Sequence, residues 1–346
     1  MEAKVLWSLN EGAVTAIAAD DVTSQLASSC STNATVSIWN VNNFTLEKTL
    51  TSVPGKTIVS LKYKHLSTSS LPTPILMGYI AAAHPQLSSI QIWNPNGDVK
   101  PLVQLEVPSY SEVLPKEILH VSRNGLLAIN NADTVLVWNL GILTAQESPV
   151  PPHTTVHCDS TVAITCWLHN NCLATHFTKQ IDIWDVNTAI SATHERTFQF
   201  HYRESNIYTP LRSIHTSHTL TCLCPSNQLL LAGDSSGNVH ILDPTNGNCL
   251  QVFSKPPHVS MVTDICADGE RVISCSKDFS IRVYRWTQDN TTQLESLYTL
   301  LGGSVAHKKH DGFWKVLCTQ SCCLGICGNQ IKVYTFAAKL ASTVSE

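Results

Sequence analysis

A short strand-like pattern recurs seven times along the chain, and it constrains the fold more than any other feature of the sequence. Each copy places two apolar residues two positions apart and follows them with a large side chain and a polar residue. Apolar residues at alternate positions are typical of a β-strand, whose side chains point to opposite faces of a sheet in turn. The copies are Val36–Asn40, Ile90–Asn94, Val135–Asn139, Ile181–Asp185, Val239–Asp243, Ile281–Arg285 and Ile331–Thr335. This recurrence predicts seven similar units that share one core.

The large residue of each copy marks its unit. The seven markers are Trp39, Trp93, Trp138, Trp184, Leu242, Tyr284 and Tyr334. Consecutive markers lie about 40 to 60 residues apart, which is near the period of known structural repeats. In most units two strand-like runs precede the marker and an outer run follows it, as Leu46–Leu50 and Arg196–Phe200 do. We therefore expect each unit to form an antiparallel sheet of four strands.

The clearest unit runs from His258 to Trp286. Its strand-like runs are Val262–Ala267, Arg271–Cys275 and Ser280–Arg285. The segments between these runs carry Asp and Gly, which tolerate the backbone angles of a tight turn. The runs themselves are rich in Val and Ile, as half-buried strands are. A meander of this kind cannot bury both of its faces alone, so it predicts neighbours of the same kind.

This unit resembles the WD40 repeat. The resemblance assigns the buried tetrad of that family to His258, Ser274, Asp278 and Tyr284. It implies an all-β fold, a seven-bladed WD40-type β-propeller, in which each unit is one blade. The other units depart from the family pattern: the hairpin Asp is replaced by Asn33 in unit one and by Ser236 in unit five. We therefore expect a divergent propeller that is held mainly by apolar packing.

The whole chain, residues 1–346, is expected to form one propeller. Unit seven has no outer strand of its own, whereas the N-terminus supplies a spare one at Lys4–Leu9. We expect this strand to complete the last blade and so close the ring, because closure removes open sheet edges. The expected blades are residues 11–53, 54–107, 115–150, 160–202, 216–254, 258–301 and 310–336, with the closing strand at 4–9.

Composition excludes several classes of protein. Hydrophobic residues make up 43% of the chain and charged residues 14%, which is typical of a globular protein. The net charge of −4 gives no general attraction for nucleic acid. We find no signal peptide and no apolar run of about 18 residues, so we expect an intracellular protein, cytoplasmic or nuclear, without a membrane span. The 13 cysteines are interpreted as reduced thiols that act as small apolar residues.

Two motifs raise the alternative of an enzyme or a metal site. Gly233–Gly237 matches the serine hydrolase pattern G-x-S-x-G, but a strand follows it instead of the required helix. A cluster near the C-terminus contains Cys318, Cys322, Cys323 and Cys327, with His307 and His310 nearby. These cysteines fall on or between two predicted strands, where alternate side chains point opposite ways, so we interpret them as structural thiols. We expect no catalytic residue, no metal and no cofactor.

Loop lengths point to a binding surface. In this fold the loops leading into the first strands share one rim, the top face, with the hairpins between second and third strands; the turns between first and second strands lie on the bottom face. Long insertions lead into first strands at Val107–Glu117, Gln199–His218 and Gly302–Gly312, whereas Lys64–Pro74 lies on the bottom face. Exposed Tyr, Trp and Arg dominate binding hot spots. The candidate partner-binding residues are Trp314, Lys277, Tyr208, Arg212, Tyr110, Lys308 and Lys309.

Three of these candidates have a purely structural alternative, in which Trp314 packs into the last blade and Lys308 and Lys309 belong to a solvated loop. The resemblance also assigns partner contacts to the second residue of each first strand and to the residue before the hairpin Asp. These positions are Thr15, Val59, Leu119, Thr165, Thr221, Thr263 and Trp314, with Lys277 before the Asp. None of them is Arg, which disfavours phosphopeptide capture and predicts a neutral, apolar channel mouth.

The resemblance therefore implies a non-catalytic scaffold or adaptor, a monomeric propeller within a complex of other proteins. A substrate-recognition subunit of a ubiquitin ligase is an alternative. It is disfavoured because no Trp-Asp-x-Arg follows the third strands and no helical domain precedes the propeller. A small-molecule binder or enzyme that uses the central channel is a second alternative, which a cluster of acid, base and nucleophile would favour.

Overall fold

The computed structural model describes residues 3–7, 13–20, 22–31, 33–43, 45–52, 56–66, 71, 73–81, 88–107, 119–143, 149–177, 179–187, 205–207, 209–252, 257–287, 293–301, 312–319, 322–327 and 330–336. Within these ranges the strands form seven sheets, most of them with four strands. Two short 3-10 helices, Leu140–Ile142 and His169–Asn171, accompany them. In the part of the chain that is described, no helix has the length and apolar character needed to cross a membrane.

The strands follow one another in chain order. The first is β1 (Ala3–Trp7). Blade one contains β2 (Val14–Asp20), β3 (Gln25–Cys30), β4 (Asn33–Asn40) and β5 (Leu46–Thr51). Blade two contains β6 (Thr57–Lys64), β7 (Ile75–Ala81), β8 (Ser89–Trp93) and β9 (Val103–Glu106). Blade three begins with β10 (Leu119–Val121), β11 (Leu126–Asn131), β12 (Thr134–Asn139) and β13 (Thr154–His157).

The second half of the chain repeats this plan. Blade four contains β14 (Ile164–Trp167), β15 (Cys172–Phe177) and β16 (Gln180–Asp185), and after β17 (Ser205–Ile207) its outer strand is β18 (Arg212–His215). Blade five contains β19 (Leu220–Ser226), β20 (Leu229–Asp234), β21 (Val239–Leu242) and β22 (Cys249–Val252). Blade six contains β23 (Val262–Ala267), β24 (Arg271–Ser276), β25 (Ser280–Trp286) and β26 (Leu294–Leu301). Blade seven contains β27 (Lys315–Cys318), β28 (Cys322–Cys327) and β29 (Gln330–Thr335).

The sheets are arranged in a ring. Within each blade the four main strands pair antiparallel in turn, and the strand that begins the blade is its inner strand. The inner strands contact one another in the order β2, β6, β10, β14, β19, β23 and β27, and β27 contacts β2 again. This arrangement is an all-β, seven-bladed propeller, which confirms that part of the predicted fold class.

The N-terminal strand belongs to the last sheet. β1 pairs antiparallel with β29, from Ala3 opposite Tyr334 to Trp7 opposite Gln330. The order in this sheet is β27, β28, β29 and β1, so β1 takes its outer position.

Blades three and four differ from the plan expected from the sequence. β13 lies beyond residue 150, where blade three was expected to end, and β17 adds a fifth strand that runs parallel to β13. The outer strand of blade four is β18, which pairs with β16. The segment expected in that position, Arg196–Phe200, lies outside the described residues. The sequence did not predict β18 as a strand because Arg212–His215 has a single buried residue, Ile214, and therefore lacks a strand-like apolar pattern.

The marker residues form the core between blades. All seven are buried, and Trp93, Trp138 and Trp184 are among the largest side chains that are fully buried. Two of the indole N–H groups donate to hydroxyls on the second strand of their own blade, Trp39 to Ser28 at 2.8 Å and Trp184 to Thr175 at 2.9 Å. The buried polar atoms of these tryptophans are thus paired, as a dry core requires.

The cysteines are all reduced in the structure. Cys249 is exposed, and the other twelve are buried or half-buried. Burial raises the pKa of the thiols of Cys222, Cys275 and Cys323, so they remain neutral and pack as small apolar groups. Within the described ranges no group of three or more His, Cys, Asp or Glu side chains is placed to hold a metal ion; His307 and His310 lie outside those ranges.

Candidate functional site

On the top face, the hairpins of blades five and six make close contacts with the loops that lead into the next blades. In blade six the hairpin between β24 and β25 carries Lys277, and Gly312 packs directly on its backbone. A Cβ at Gly312 would come within 2.5 Å of the Lys277 backbone, and its φ of +80° also favours glycine. The Lys277 side chain remains exposed. The hairpin backbone is thus fixed while its charged side chain faces solvent.

The four tetrad residues are joined by hydrogen bonds beneath this hairpin. The two ring nitrogens of His258 reach the Ser274 hydroxyl at 2.7 Å and the Asp278 carboxylate at 3.2 Å. Ser274 lies 3.3 Å from the Tyr284 hydroxyl. The Ser280 hydroxyl, which is not part of the family pattern, also lies 2.9 Å from His258. His258, Ser274 and Tyr284 are completely buried, so the network is shielded from water.

Burial sets the charge of this network. It lowers the pKa of His258 to about 4, so the imidazole is neutral at pH 7. Burial alone would raise the pKa of Asp278, but hydrogen bonds from Ser280 and Val259 and the nearby imidazole outweigh it, so the pKa lies below its usual value. An ionised Asp278 accepts from the Val259 backbone N–H at 3.0 Å and from the Ser280 N–H at 2.9 Å. The tetrad therefore holds two top-face segments of blade six together.

Blade five contains a second polar network that sequence reasoning missed. Asp234 is fully buried and accepts from the backbone N–H groups of Ser236 and Asn238 at 2.8 and 2.9 Å. Its other oxygen lies 2.8 Å from Nε2 of His240 and 3.8 Å from Nδ1 of His218. By the family pattern Ser236 replaces the hairpin Asp in this blade, whereas the structure has a carboxylate two positions earlier, at Asp234. The signal was present as a buried-strand Asp followed by a His on the next strand. Residues 233–237 form part of this hairpin and its flanking strand end, not a strand–helix elbow.

A cavity of about 260 Å³ opens into the central channel at the first strands of blades four to seven. Its wall is mainly apolar and includes Leu220, Met261 and Trp314. The charged groups in the wall are Asp264 and Lys315, whose side chains lie 3.8 Å apart. Asp264 also accepts from the Val316 backbone N–H at 3.0 Å. The cavity thus combines an apolar wall with one paired acid and base.

Trp314 is partly buried in the last blade and partly exposed to the channel, so it combines the structural and the binding alternatives that the sequence left open. Its half-buried ring packs against the apolar cluster between blades seven and one, which includes Val14 and Ile326. The same residue lines the channel cavity, and it also faces Thr15 and Val59 of blades one and two across a smaller depression. Trp314 therefore packs into the last blade and also contributes to the wall of the channel cavity.

Several inner-strand residues to which the resemblance assigned partner contacts also bond to a neighbouring blade. The pairing between first and second strands is interrupted at Thr15, Val59, Thr221 and Thr263, as a β-bulge would do. A bulge re-aims a side chain. Here it turns hydroxyls to backbone carbonyls of the next blade: Thr15 to Ile58 at 2.6 Å, Thr221 to Val262 at 2.5 Å and Thr263 to Phe313 at 2.7 Å. Thr165 instead donates to the Asn130 side chain in the preceding blade.

The bottom face uses its turns to connect neighbouring blades. A side chain or backbone group of each turn between first and second strands bonds to the next, from blade one to blade seven. The pairs are His65 with Asp20, Lys64 with the Arg123 carbonyl, Asn124 with Asn171, His169 with the Gln228 N–H, Asn227 with the Gly269 carbonyl, and Cys318 with Asp268. Many polar groups of this face are thereby occupied within the protein.

Arg212 does not lie on the top face, and its expected placement is wrong. β16 starts at Gln180, directly after a top-face hairpin, and Arg212 pairs near the other end of this strand, opposite Ile183. Arg212 lines a cavity of about 500 Å³ together with His169 and Thr245, which belong to bottom-face turns. The prediction for Arg212 failed because β18 is the outer strand of blade four and not part of the loop that leads into blade five. Tyr110, Tyr208, Lys308 and Lys309 lie outside the described residues.

Comparisons with known proteins agree with this geometry. The protein-family model for the WD domain, G-beta repeat, matches residues 247–285, which include the whole tetrad. No curated protein matches the chain significantly. A chain in the crystal structure of the mitotic checkpoint complex is similar to this one with a TM-score of 0.69 and 11% sequence identity, over 96% of this chain and 95% of that chain. Because 1592 solved chains match, this likeness shows the fold and identifies no partner.

Proposed function

We propose that the chain is a WD40-repeat propeller, as the match of residues 247–285 to the WD domain, G-beta repeat suggests, and that it is a non-catalytic scaffold or adaptor that binds segments of other proteins on its top face. The observation that carries the proposal is the channel cavity of about 260 Å³ with Trp314 in its wall. A half-buried tryptophan beside a concave, mainly apolar wall has the character of a binding hot spot.

The contrast between the two faces supports this choice. Turns on the bottom face are bonded to one another, as in the pairs Asn124 with Asn171 and Asn227 with Gly269. On the top face, Lys277 is exposed and Trp314 faces the channel. A partner can therefore contact the top face without breaking the bonds between blades.

The chemistry of the cavity favours binding over catalysis. Asp264 and Lys315 face each other as an ion pair, so neither is free to serve as a base near pH 7. Burial raises the pKa of the Cys222 thiol, which also lines the cavity, well above its usual value. A neutral thiol is a poor nucleophile. We therefore propose no enzymatic activity for this channel.

Protein partners and an intracellular location are parts of the same proposal. The similar chain in the mitotic checkpoint complex is one subunit of a multiprotein assembly. Buried reduced thiols, such as Cys275 and Cys323, fit a reducing compartment. We propose that this chain acts as one propeller within a hetero-complex in the cytoplasm or the nucleus, without direct nucleic-acid binding.

We further propose that β1 closes the ring. The pairing of β1 with β29 joins the beginning of the chain to its last blade. A ring held in this way has no free edge on the outer side of β29, where unpaired backbone groups would otherwise invite aggregation.

Quantitative affinity purification tests the proposed face. Wild type is compared with Trp314→Ala and Lys277→Glu, and with Val22→Ser as a bottom-face control at a position that is 76% exposed. Changes at Ser69 and Ser70, which lie outside the described residues, provide a second control in the bottom-face insertion. We expect wild type and both controls to recover the same partners and the top-face variants to lose them. Partners lost only by the controls would show that the other face binds.

A further inference from the structure

Apolar side chains are concentrated at the top of blade six. Val259 is 92% exposed and Leu301 77% exposed, and both are among the most exposed large apolar residues that the described ranges contain. Phe279, between them, is 37% exposed. We call Val259, Lys277, Phe279 and Leu301 the blade-six corner. Apolar groups that lie together on a surface mark a contact site more reliably than single ones do.

The members of the corner are joined by short structural links. The Val259 backbone N–H donates to Asp278 at 3.0 Å, and Asp278 is the residue between Lys277 and Phe279. Ser280, which follows Phe279, pairs with Leu301 in the outer part of the sheet. Backbone links thus bring three segments of blade six together at the corner, and the tetrad residue Asp278 bonds two of them. A surface held in place before binding loses little conformational entropy when a partner arrives.

Phe279 occupies a backbone conformation that a bulky residue rarely adopts. Its φ is +65°, in the left-handed region. The corresponding hairpin position in blade five, counted from the strand signatures Val239–Asp243 and Ile281–Arg285, is Gly237, with a φ of +94°. Blade five thus has glycine at this left-handed position, which glycine adopts without strain, whereas blade six has an aromatic side chain there that is partly exposed. Residues with unfavourable backbone angles are concentrated at functional sites, where their side chains contribute to binding or catalysis.

The charge of the corner points to an acidic partner. The Asp278 carboxylate is turned inward, where it accepts from Val259, Ser280 and His258. The Lys277 ammonium is exposed beside the apolar groups. The outer surface therefore presents apolar side chains and a cation, and it complements a segment that carries an apolar residue next to a carboxylate.

We infer that the blade-six corner is a preformed docking site for a short acidic segment of a partner protein, with an aromatic or long aliphatic side chain packed against Phe279 and Leu301 and a carboxylate beside Lys277. This inference rests on the proposed top-face function and deepens it, because it names the subsite and the chemistry of the partner.

Selection of short random peptides displayed on phage against the immobilised full-length protein tests the inference. We expect the selected peptides to contain an aromatic or long aliphatic residue next to Asp or Glu. Their affinity should fall at least about tenfold for Phe279→Asn and for Lys277→Glu, and stay unchanged for Val22→Ser. Because Asn tolerates a positive φ, the melting temperature of Phe279→Asn should be equal to that of wild type or higher. Loss of binding without loss of stability separates docking from folding.

The outcomes distinguish this inference from the proposed function. If peptides bind Phe279→Asn as well as wild type but lose affinity for Trp314→Ala, the corner is not the docking site and the top-face proposal stands. Peptides that lack the acidic and apolar pattern, or a selection that yields no binder, would also overturn the inference. If binding is lost with Val22→Ser and retained by every top-face variant, both the inference and the proposed function are wrong.

Discussion

The hydroxyl of Thr263 donates a 2.7 Å hydrogen bond to the carbonyl oxygen of Phe313, which leads into the next blade. Thr263 stands where the pairing of β23 with β24 is interrupted, and this irregularity turns its side chain toward blade seven. Thr15 and Thr221 make the equivalent bond to Ile58 and Val262. Residues that the resemblance assigned to partner contacts thus hold neighbouring blades together.

Replacing Thr263 by Val should destabilise the protein by about 1–2 kcal/mol, because the shape is retained while the carbonyl of Phe313 loses its donor. Thr263→Ser keeps the hydroxyl and is the matched control. Urea denaturation measures the free energy of unfolding of both variants. A Val variant as stable as wild type would show that the bond between these blades contributes nothing.

Strand positions could be predicted from the sequence because alternating apolar residues and marker side chains repeat seven times. The outer strand of blade four could not, since β18 buries one residue, Ile214, and is recruited by pairing with β16. The carboxylate of blade five was missed because Asp234 lies at the end of a strand and not in the hairpin turn.

The candidate site was predictable in part. Lys277 lies in a hairpin and Trp314 beside the channel, as expected from the sequence, and their role in partner binding stays a prediction. The blade-six corner left no signal in the pattern of apolar residues. Its members, such as Val259 and Leu301, belong to three separate segments, and only the folded sheet brings them together.

The tetrad should contribute measurably to stability. His258→Ala removes the group that joins Ser274 to Asp278, and we expect a loss of roughly 1–3 kcal/mol. Trp93→Ala removes a fully buried aromatic side chain and should cost more, on the order of 3–5 kcal/mol. Denaturant unfolding at neutral pH compares the two variants. If His258→Ala is neutral, the hydrogen-bonded tetrad does not stabilise blade six.

Acidification should weaken the fold through His258. Burial lowers the pKa of this group from 6.5 to about 4, so the unfolded chain binds a proton at a higher pH than the folded one. The contribution of the neutral His258 to the free energy of unfolding is therefore fully present above pH 6.5. It is lost as the pH falls toward 4, by up to about 3 kcal/mol. Asp278, with a lowered pKa, adds a further loss only below about pH 4.

The test compares the pH dependence of the free energy of unfolding for wild type and His258→Gln. Because Gln does not titrate, the variant should lose less stability than wild type between pH 6.5 and pH 4.5. Parallel profiles for the two proteins would show that His258 is not the group responsible.

Removal of the N-terminal strand should open the ring. In the intact protein β1 pairs with the outer edge of β29. Deleting residues 1–10 removes β1 and leaves that edge unpaired. We expect aggregation or a marked drop in melting temperature, because an unpaired edge strand associates with other chains. Deletion of residues 337–346, which no described strand includes, is the control. A monomeric truncated protein with an unchanged melting temperature would contradict closure by β1.

Hydrogen–deuterium exchange on the protein alone and bound to a partner recovered by affinity purification tests the binding face most directly. We expect protection on binding at residues 257–263, 277–280 and 312–315, which form the top of blades six and seven around the channel cavity. The bottom-face turns at residues 122–125, 169–171 and 227–228 should exchange at the same rate in both states. Protection confined to those turns, with the top segments unchanged, would show that the partner binds the opposite face.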